Sequence, residues 1–154
     1  MKLEPGQDAP DFELRDASGK LWKLADLRGE KVVLYFYPAD DTPGCTAEAC
    51  DFRDTRDDFD AAGYIVLGVS PQDARSHQAF TNKYALNFPL LIDHDLELAR
   101  SYGSLPERSG KYKGIPLEVA RSTFVIDEKG RIQHALYGIR ARNHVAGLKD
   151  MLSL

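Results

Sequence analysis

Two strand-like apolar segments on either side of a helix-like segment constrain the fold of this chain more than any other feature. The segment 31–37 (Lys-Val-Val-Leu-Tyr-Phe-Tyr) and the segment 64–70 (Tyr-Ile-Val-Leu-Gly-Val-Ser) are nearly continuous in apolar residues. Such runs are typical of central strands that are covered on both faces of a sheet. Between them, apolar residues recur at helical spacing from about Thr42 to Ala61. This order predicts two parallel strands joined by a helical crossover.

The flanking segments add strands of both orientations. Residues 11–24 alternate apolar and polar side chains around a turn cluster, which predicts an N-terminal β-hairpin. A second helix, with Ser70 as its cap and Pro71 at its first position, leads to a short strand at 89–92. Residues 121–137 predict a second hairpin, which is followed by the apolar stripe of a closing helix. We therefore expect an α/β fold with a mixed central β-sheet flanked by helices on both faces.

The length of 154 residues fits a single domain, 1–154, without internal repeats or an interdomain linker. The least regular part is the segment from Gly103 to Ala120, which is rich in Gly and Pro and is broken at Pro106 and Pro116. Such composition is typical of loops, and it predicts a long connection before the second hairpin.

Charge and hydropathy exclude two classes of partner. The 24 acidic and 20 basic residues are interspersed and give a net charge of −4, without a basic cluster that could follow a phosphate backbone. The N-terminus lacks the apolar core of a signal peptide, and the longest apolar run is far too short to span a bilayer. We therefore expect a protein of the reducing cytoplasm that binds neither nucleic acid nor membranes.

The only two cysteines, Cys45 and Cys50, lie where the first apolar strand gives way to the helix. Cys45 follows Gly44 in a loop that begins at Pro38, and the unpaired N–H groups and dipole of a helix end favour a thiolate there. Cys50 lies deeper in the same helix. This placement is typical of a reactive site.

Several interpretations of the cysteine pair are open. Both thiols can be small buried side chains. A zinc site would need four ligands, and the four histidines show no ligand spacing. A dithiol of the thioredoxin kind has two intervening residues, whereas this chain has four. A static disulfide fits poorly because five helical residues rise about 7.5 Å, whereas bridged Cα atoms lie within about 7 Å.

The same spacing suggests a redox cycle. A Cys45 thiolate oxidised to sulfenic acid becomes an electrophile, which Cys50 can attack once the first helical turns unfold. Such a site needs positive potential beyond that of the helix end. Arg53 and Arg56 lie too far along the helix, whereas Arg121 starts a predicted strand of the same sheet. On these grounds alone, a solvated arginine at a strand end remains the simpler interpretation of Arg121.

The residues around Cys45 carry a family resemblance. Pro38, Thr42 and Cys45 match the peroxiredoxin pattern Pro-x-x-x-Thr-x-x-Cys. Further matching segments are Gly6–Phe12, Leu34–Pro38 and Arg121–Asp127. With its second cysteine at position 50, the chain resembles the bacterioferritin comigratory protein subfamily, also called the Q type. The resemblance implies a thioredoxin-like fold and reduction of hydrogen peroxide and organic hydroperoxides, with thioredoxin as the reductant.

The resemblance also implies a role for each matched residue. Cys45 is expected to be the peroxidatic nucleophile and Cys50 the resolving thiol, so that the two form an intramolecular disulfide. The Thr42 hydroxyl is expected to hydrogen-bond the thiolate and the peroxide, and Pro38 to shield the pocket from water. Arg121 is expected to stabilise the thiolate and polarise the peroxide. The family implies a monomer, and no cofactor or metal is expected.

Two points remain open at this level. Glu48 lies one helical turn from Cys45, where an acid near a helix N-terminus is favourable without any catalytic role. The rival to a peroxidase is a redox-sensing interaction module, in which oxidation unwinds the helix at Cys45 and changes a partner surface without efficient turnover.

Overall fold

The structure of the protein is a computed structural model that describes residues 2–108 and 110–154. The strands within these residues are β1 (Glu13–Arg15), β2 (Leu21–Lys23), β3 (Lys31–Phe36), β4 (Tyr64–Ser70), β5 (Leu90–Ile92), β6 (Gly110–Tyr112), β7 (Ile115–Leu117), β8 (Ser122–Ile126) and β9 (Ile132–Leu136). The α-helices are α1 (Pro43–Ala61), α2 (Ala74–Tyr84), α3 (Glu97–Ser101) and α4 (His144–Met151), and a 3-10 helix spans Leu24–Leu27. None of the described helices combines the length and apolar character needed to cross a bilayer.

A five-stranded sheet with the order β5-β4-β3-β8-β9 forms the centre of the molecule. β3 is parallel to β4, and β4 is parallel to β5. β8 is antiparallel to both β3 and β9. The parallel part follows from the two crossovers through α1 and α2, and the antiparallel part from the late hairpin. The mixed sheet predicted from the sequence is therefore confirmed.

The central strand β3 is covered on both of its faces. Its alternate side chains belong to two separate buried clusters, because successive side chains of a strand point to opposite faces. Val32 and Leu34 pack with residues of α3 and the N-terminal segment. Val33 and Tyr35 pack with residues of α1, α2 and α4. Full burial of such side chains stabilises the fold by about 1.5–3 kcal/mol each, which explains the uninterrupted apolar run.

The predicted N-terminal hairpin is also present. β1 pairs antiparallel with β2, and Leu14 lies opposite Trp22. Both side chains pack on the cluster that contains Val32 and Leu34. The hairpin thus covers part of one sheet face outside the main sheet.

The start of α2 differs from the sequence prediction. Ser70 is the last residue of β4 and lies opposite Ile92 of β5, so it belongs to the sheet and does not cap the helix. Asp73 is the cap, and its carboxylate accepts a hydrogen bond from the backbone N–H of Ser76. The helix begins later than predicted because pairing with β5 keeps Ser70 extended.

The connection 103–120 contains a hairpin that the sequence analysis did not predict. β6 pairs antiparallel with β7, and the turn residues Lys113 and Gly114 have φ values of 47° and 82°. A two-residue turn with positive φ at both positions matches the twist of paired strands. The glycine was its only sequence signal, because the short strands contain polar residues and Pro116. Ser109 lies outside the described residues.

Candidate active site

Cys45 lies in the first turn of α1, just after the loop that leaves β3. Its side chain is 1% exposed, and the thiol is free. Pro43 occupies the start of the helix, where no N–H donor is needed. Thr42 is the N-cap residue, but its side chain makes no capping hydrogen bond. The N–H groups of residues 44 and 45 are therefore not capped by Thr42 and can act as donors beside the sulfur.

The Thr42 side chain turns back toward its own loop. It is buried, and its Oγ1 donates a hydrogen bond to the Ala39 carbonyl oxygen at 2.8 Å. A hydroxyl carries one proton, so in this arrangement Thr42 does not donate to the Cys45 sulfur. The oxygen can instead accept a hydrogen bond from a bound O–H group. Pro38 is half-buried at the start of the same loop.

Arg121 reaches Cys45 because of the sheet register. β8 runs antiparallel to β3 with Ser122 opposite Phe36, so Arg121 lies beside the loop that follows β3. Its Nη2 donates to Cys45 Sγ at 3.2 Å, and its Nη1 donates to Glu48 Oε1 at 2.6 Å. Burial lowers the pKa of Arg121, but Glu48 and Cys45 outweigh burial and raise it overall. A fixed positive charge therefore lies against the buried thiol.

Gly44 makes room for this arginine. A Cβ atom at residue 44 would lie 3.1 Å from Arg121 Nη2 and 3.5 Å from Ala141 Cβ. The first distance is tighter than nine in ten real Cβ contacts, so the guanidinium would have to shift. The glycine thus lets the guanidinium approach the helix end closely.

Cys50 is half-buried in the same helix and is also a free thiol. The helix α1 is continuous from Pro43 to Ala61. A helical rise of about 7.5 Å over five residues exceeds the Cα separation of about 7 Å that a disulfide bridges. The structure is therefore the reduced, fully folded state. Arg53 points elsewhere, since its Nη1 donates to the Tyr84 carbonyl oxygen at 2.7 Å.

Glu48 is a buried part of the site that binds Arg121, and is more than an acid near a helix N-terminus. Its carboxyl group is fully buried, and only one oxygen is bound by Arg121, whereas Oε2 has no hydrogen-bond partner among the described residues. Burial raises the pKa of Glu48 to about 7, although Arg121 opposes this shift. The carboxyl group therefore holds the guanidinium beside Cys45 at a considerable cost in solvation.

His144, at the start of α4, is a further neighbour that sequence reasoning missed. Its Nε2 lies 2.8 Å from Thr123 Oγ1 and 3.9 Å from Glu48 Oε2. Burial, followed by the charge of Arg121, lowers the pKa of His144 to about 4, so the imidazole is neutral near pH 7. A single histidine at a helix start follows no motif, so the sequence carried no signal for it.

Replacing Glu48 by glutamine is expected to change how stability depends on pH. Folding raises the pKa of Glu48 from 4.5 to about 7, so between these values the folded protein keeps a proton that the unfolded chain has released. The free energy of unfolding therefore falls as the pH rises through this window, by about 3 kcal/mol for this group. Relative to the wild type, Glu48→Gln should thus gain about 3 kcal/mol between about pH 4 and about pH 8.

Denaturant unfolding of both proteins at the two pH values measures this gain. His144 is present in both proteins, so its own titration largely cancels in the difference. A difference between variant and wild type that stays constant with pH would contradict the assignment of Glu48 as the titrating group.

Within residues 2–108 and 110–154, no group of three or more His, Cys, Asp or Glu side chains could hold a metal ion. The chemistry that these residues can perform is that of a buried thiol, a guanidinium and helix N–H donors. Such a set stabilises a thiolate and a negative charge that develops beside it.

Comparisons with known proteins agree with this chemistry. A family model described as the AhpC/TSA family matches residues 5–135. Peroxiredoxin Bcp of Bacillus subtilis is 44% identical over 158 aligned residues, which cover 98% of this chain and 98% of the relative.

Solved structures show a similar fold over nearly the whole chain. The bacterioferritin comigratory protein of Xanthomonas campestris, described with an alkyl peroxide reduction activity, has a TM-score of 0.86 at 31% identity and covers 97% of this chain and 98% of its own. A cysteine-to-serine mutant of PrxQ from Xylella fastidiosa has a TM-score of 0.90 at 27% identity, with 99% of this chain and 97% of that chain covered.

Proposed function

The chain belongs to the AhpC/TSA family, and we propose that it reduces hydrogen peroxide and organic hydroperoxides at Cys45, with Cys50 as resolving thiol and thioredoxin as reductant. Its similarity to Bcp and PrxQ proteins makes it a thiol peroxidase with the thioredoxin-like fold expected from the sequence. The observation that carries the proposal is the Arg121 guanidinium, which lies between the buried Cys45 sulfur and the buried Glu48 carboxyl group.

The first step is attack of the Cys45 thiolate on the terminal oxygen of the peroxide. A sulfur–oxygen bond forms, the O–O bond breaks, and the departing alkoxide or hydroxide takes a proton to leave as an alcohol or water. Sulfur is oxidised to sulfenic acid while the peroxide is reduced. Negative charge moves from sulfur to the leaving oxygen, so Arg121 and the N–H groups of residues 44 and 45 stabilise both ends of the reaction.

Thr42 and Pro38 complete the pocket in this proposal. The Thr42 hydroxyl proton is engaged by the Ala39 carbonyl, so its oxygen accepts the O–H of the peroxide and orients the attacked oxygen toward Cys45. Pro38 begins the same loop and shields the pocket from water. This assigns Thr42 the acceptor role rather than a bond to the thiolate.

The second step joins the two cysteines. Cys50 attacks the sulfenic sulfur of Cys45, a disulfide forms, and the oxygen leaves as water. The helix keeps the sulfurs apart in the reduced state, so the first turns of α1 have to unfold locally. That unfolding takes Glu48 away from Arg121. The closed loop is short, so loop entropy stabilises the disulfide little and a dithiol such as thioredoxin can reduce it.

We further propose that the protein acts as a monomer in a reducing cytoplasm. A disulfide that forms and is reduced in every cycle suits such a compartment, where disulfides are usually transient and catalytic.

A steady-state assay with peroxide, thioredoxin, thioredoxin reductase and NADPH tests the proposed cycle. We expect sustained NADPH oxidation at many turnovers per protein, and an intramolecular disulfide in non-reducing mass spectra after peroxide alone. A redox-sensing module would instead stop after stoichiometric oxidation. The absence of sustained flux with thioredoxin would overturn the proposed reductant, and the absence of the disulfide would overturn the proposed resolving step.

A further inference from the structure

A buried carboxylate anchors the loop that carries Thr42. Asp40 lies between β3 and α1, and its side chain is nearly fully buried. Its Oδ1 accepts a hydrogen bond from the Tyr37 hydroxyl at 2.6 Å. Its Oδ2 lies 2.7 Å from Ser76 Oγ and 2.6 Å from His77 Nδ1. The backbone N–H of Asp40 also donates to the Gln72 side chain. The loop is thereby bound to α2 and to the residues before it.

The partners of His77 show that this contact is a true hydrogen bond. The His77 side chain is fully buried between Asp40 and β5. Its Nε2 lies 2.9 Å from the Leu91 carbonyl oxygen, which can only accept, so Nε2 carries a proton. Its Nδ1 forms a second hydrogen bond, with Asp40 Oδ2. Every side-chain polar atom of the pair has a partner.

The backbone that Asp40 anchors is strained. Asp41 has a φ of 56°, in the left-handed region that a non-glycine residue adopts only at a cost. This turn brings Thr42 Oγ1 back onto the Ala39 carbonyl oxygen. Strained residues persist only where the surrounding structure holds them, and they cluster at functional sites. The buried contacts of Asp40 lie directly before the strained residue.

We propose that Asp40 and His77 are positioning residues, which hold residues 39–42 in the turn that directs the Thr42 oxygen at the peroxide. The inference rests on the acceptor role that the proposed function gives to Thr42. Asp40 and His77 act through the loop and do not touch the reacting atoms.

Stability alone explains this arrangement poorly. A buried ionisable pair is often no more stabilising than apolar side chains of similar volume, because both groups lose their hydration. An Asp-His pair does, however, fix a backbone segment in one orientation through directional bonds. Misplacement of a reacting group by about 1 Å can slow an enzyme about a hundredfold.

Two rates separate positioning from general destabilisation. Stopped-flow oxidation of Cys45 by hydrogen peroxide depends on both Thr42 and Arg121, whereas alkylation of Cys45 by iodoacetamide needs the thiolate but no aligned O–O bond. We expect Asp40→Ala to slow oxidation by roughly tenfold to a hundredfold and to change alkylation less than about threefold. Asp40→Asn should recover much of the rate, because an amide can bond both Tyr37 and His77.

Ser76 provides a graded variant with a matched control. Ser76→Ala removes one donor to Asp40 and is expected to slow oxidation about threefold, with alkylation unchanged. Asp73→Ala removes the cap that binds the N–H of the same residue, so it destabilises α2 without touching Asp40. It should leave both rates within about twofold of the wild type. If Asp40→Ala fails to fold, the oxidation and alkylation rates of Ser76→Ala test the inference instead.

Combination with Thr42→Val decides whether Asp40 acts through Thr42. We expect Thr42→Val to slow oxidation, and Asp40→Ala to slow that variant no further. Three results would overturn the inference. Asp40→Ala could slow oxidation and alkylation equally, or it could be oxidised at the wild-type rate. The double variant could also be slowed by the product of the two single-variant factors. A wild-type rate in Thr42→Val would overturn the inference together with the proposed role of Thr42, whereas failure of the thioredoxin-coupled assay alone would leave both intact.

Discussion

Cys45→Ser is expected to abolish peroxide consumption. A serine hydroxyl is hardly ionised near neutral pH and is a poor nucleophile without an adjacent general base, and His144 is bonded to Thr123 rather than to residue 45. We therefore expect the second-order rate constant with hydrogen peroxide to fall by about four orders of magnitude, to the background level. Peroxide consumption in the thioredoxin-coupled assay measures the effect.

The fold of this variant should be intact. Serine is nearly the same size as cysteine, and Arg121 keeps its bond to Glu48 when the sulfur is gone. Circular dichroism and thermal unfolding serve as the control for folding. Full activity in a folded Cys45→Ser protein would exclude Cys45 as the nucleophile and remove the basis of the proposed mechanism.

Cys50→Ser is expected to separate oxidation from recycling. The chain has no third cysteine, so no other intramolecular thiol can attack the sulfenic acid at Cys45. We expect this variant to consume one equivalent of peroxide at a rate close to the wild type and then to stop. Thioredoxin-dependent turnover should fall to background, because the intramolecular disulfide that thioredoxin reduces cannot form.

Single-turnover peroxide titration and trapping of sulfenic acid with a dimedone-type reagent, followed by mass spectrometry, measure this outcome. The wild type treated in the same way should give the disulfide and little trapped adduct. Sustained thioredoxin-dependent flux in Cys50→Ser would show that the reductant attacks Cys45 directly, and that Cys50 is not needed for resolution.

The order of strands and helices could be predicted from the sequence because burial follows a short period along each element. Val32 and Val33 belong to opposite faces of one sheet, so the apolar run of β3 is continuous. The ends of the helices and strands were harder to predict. Ser70 and Pro71 match a helix start, yet pairing of β4 with β5 keeps Ser70 in the sheet. The β6–β7 hairpin was missed since its strands are short and lack an alternating pattern.

Only part of the site could be predicted from the sequence. Pro38, Thr42, Cys45 and Cys50 lie within one short segment, so their spacing could be interpreted directly. Arg121 was a candidate from its place at the start of a predicted strand, but only the family resemblance gave it a role, because a lone arginine at a strand start is usually solvated. Glu48 was placed near the right helix end, but its burial and raised pKa depend on what packs against α1.

By itself, the sequence determined the mixed α/β architecture and the segment from Pro38 to Cys50 with its two thiols, because these depend on local periodicity and spacing. Tertiary structure alone decided which distant groups complete the site. The antiparallel register of β8 on β3 brings Arg121 to Cys45 across 76 positions, and packing of α2 brings His77 to Asp40 across 37 positions. Such contacts are set by the burial of whole elements against one another, which no local pattern encodes.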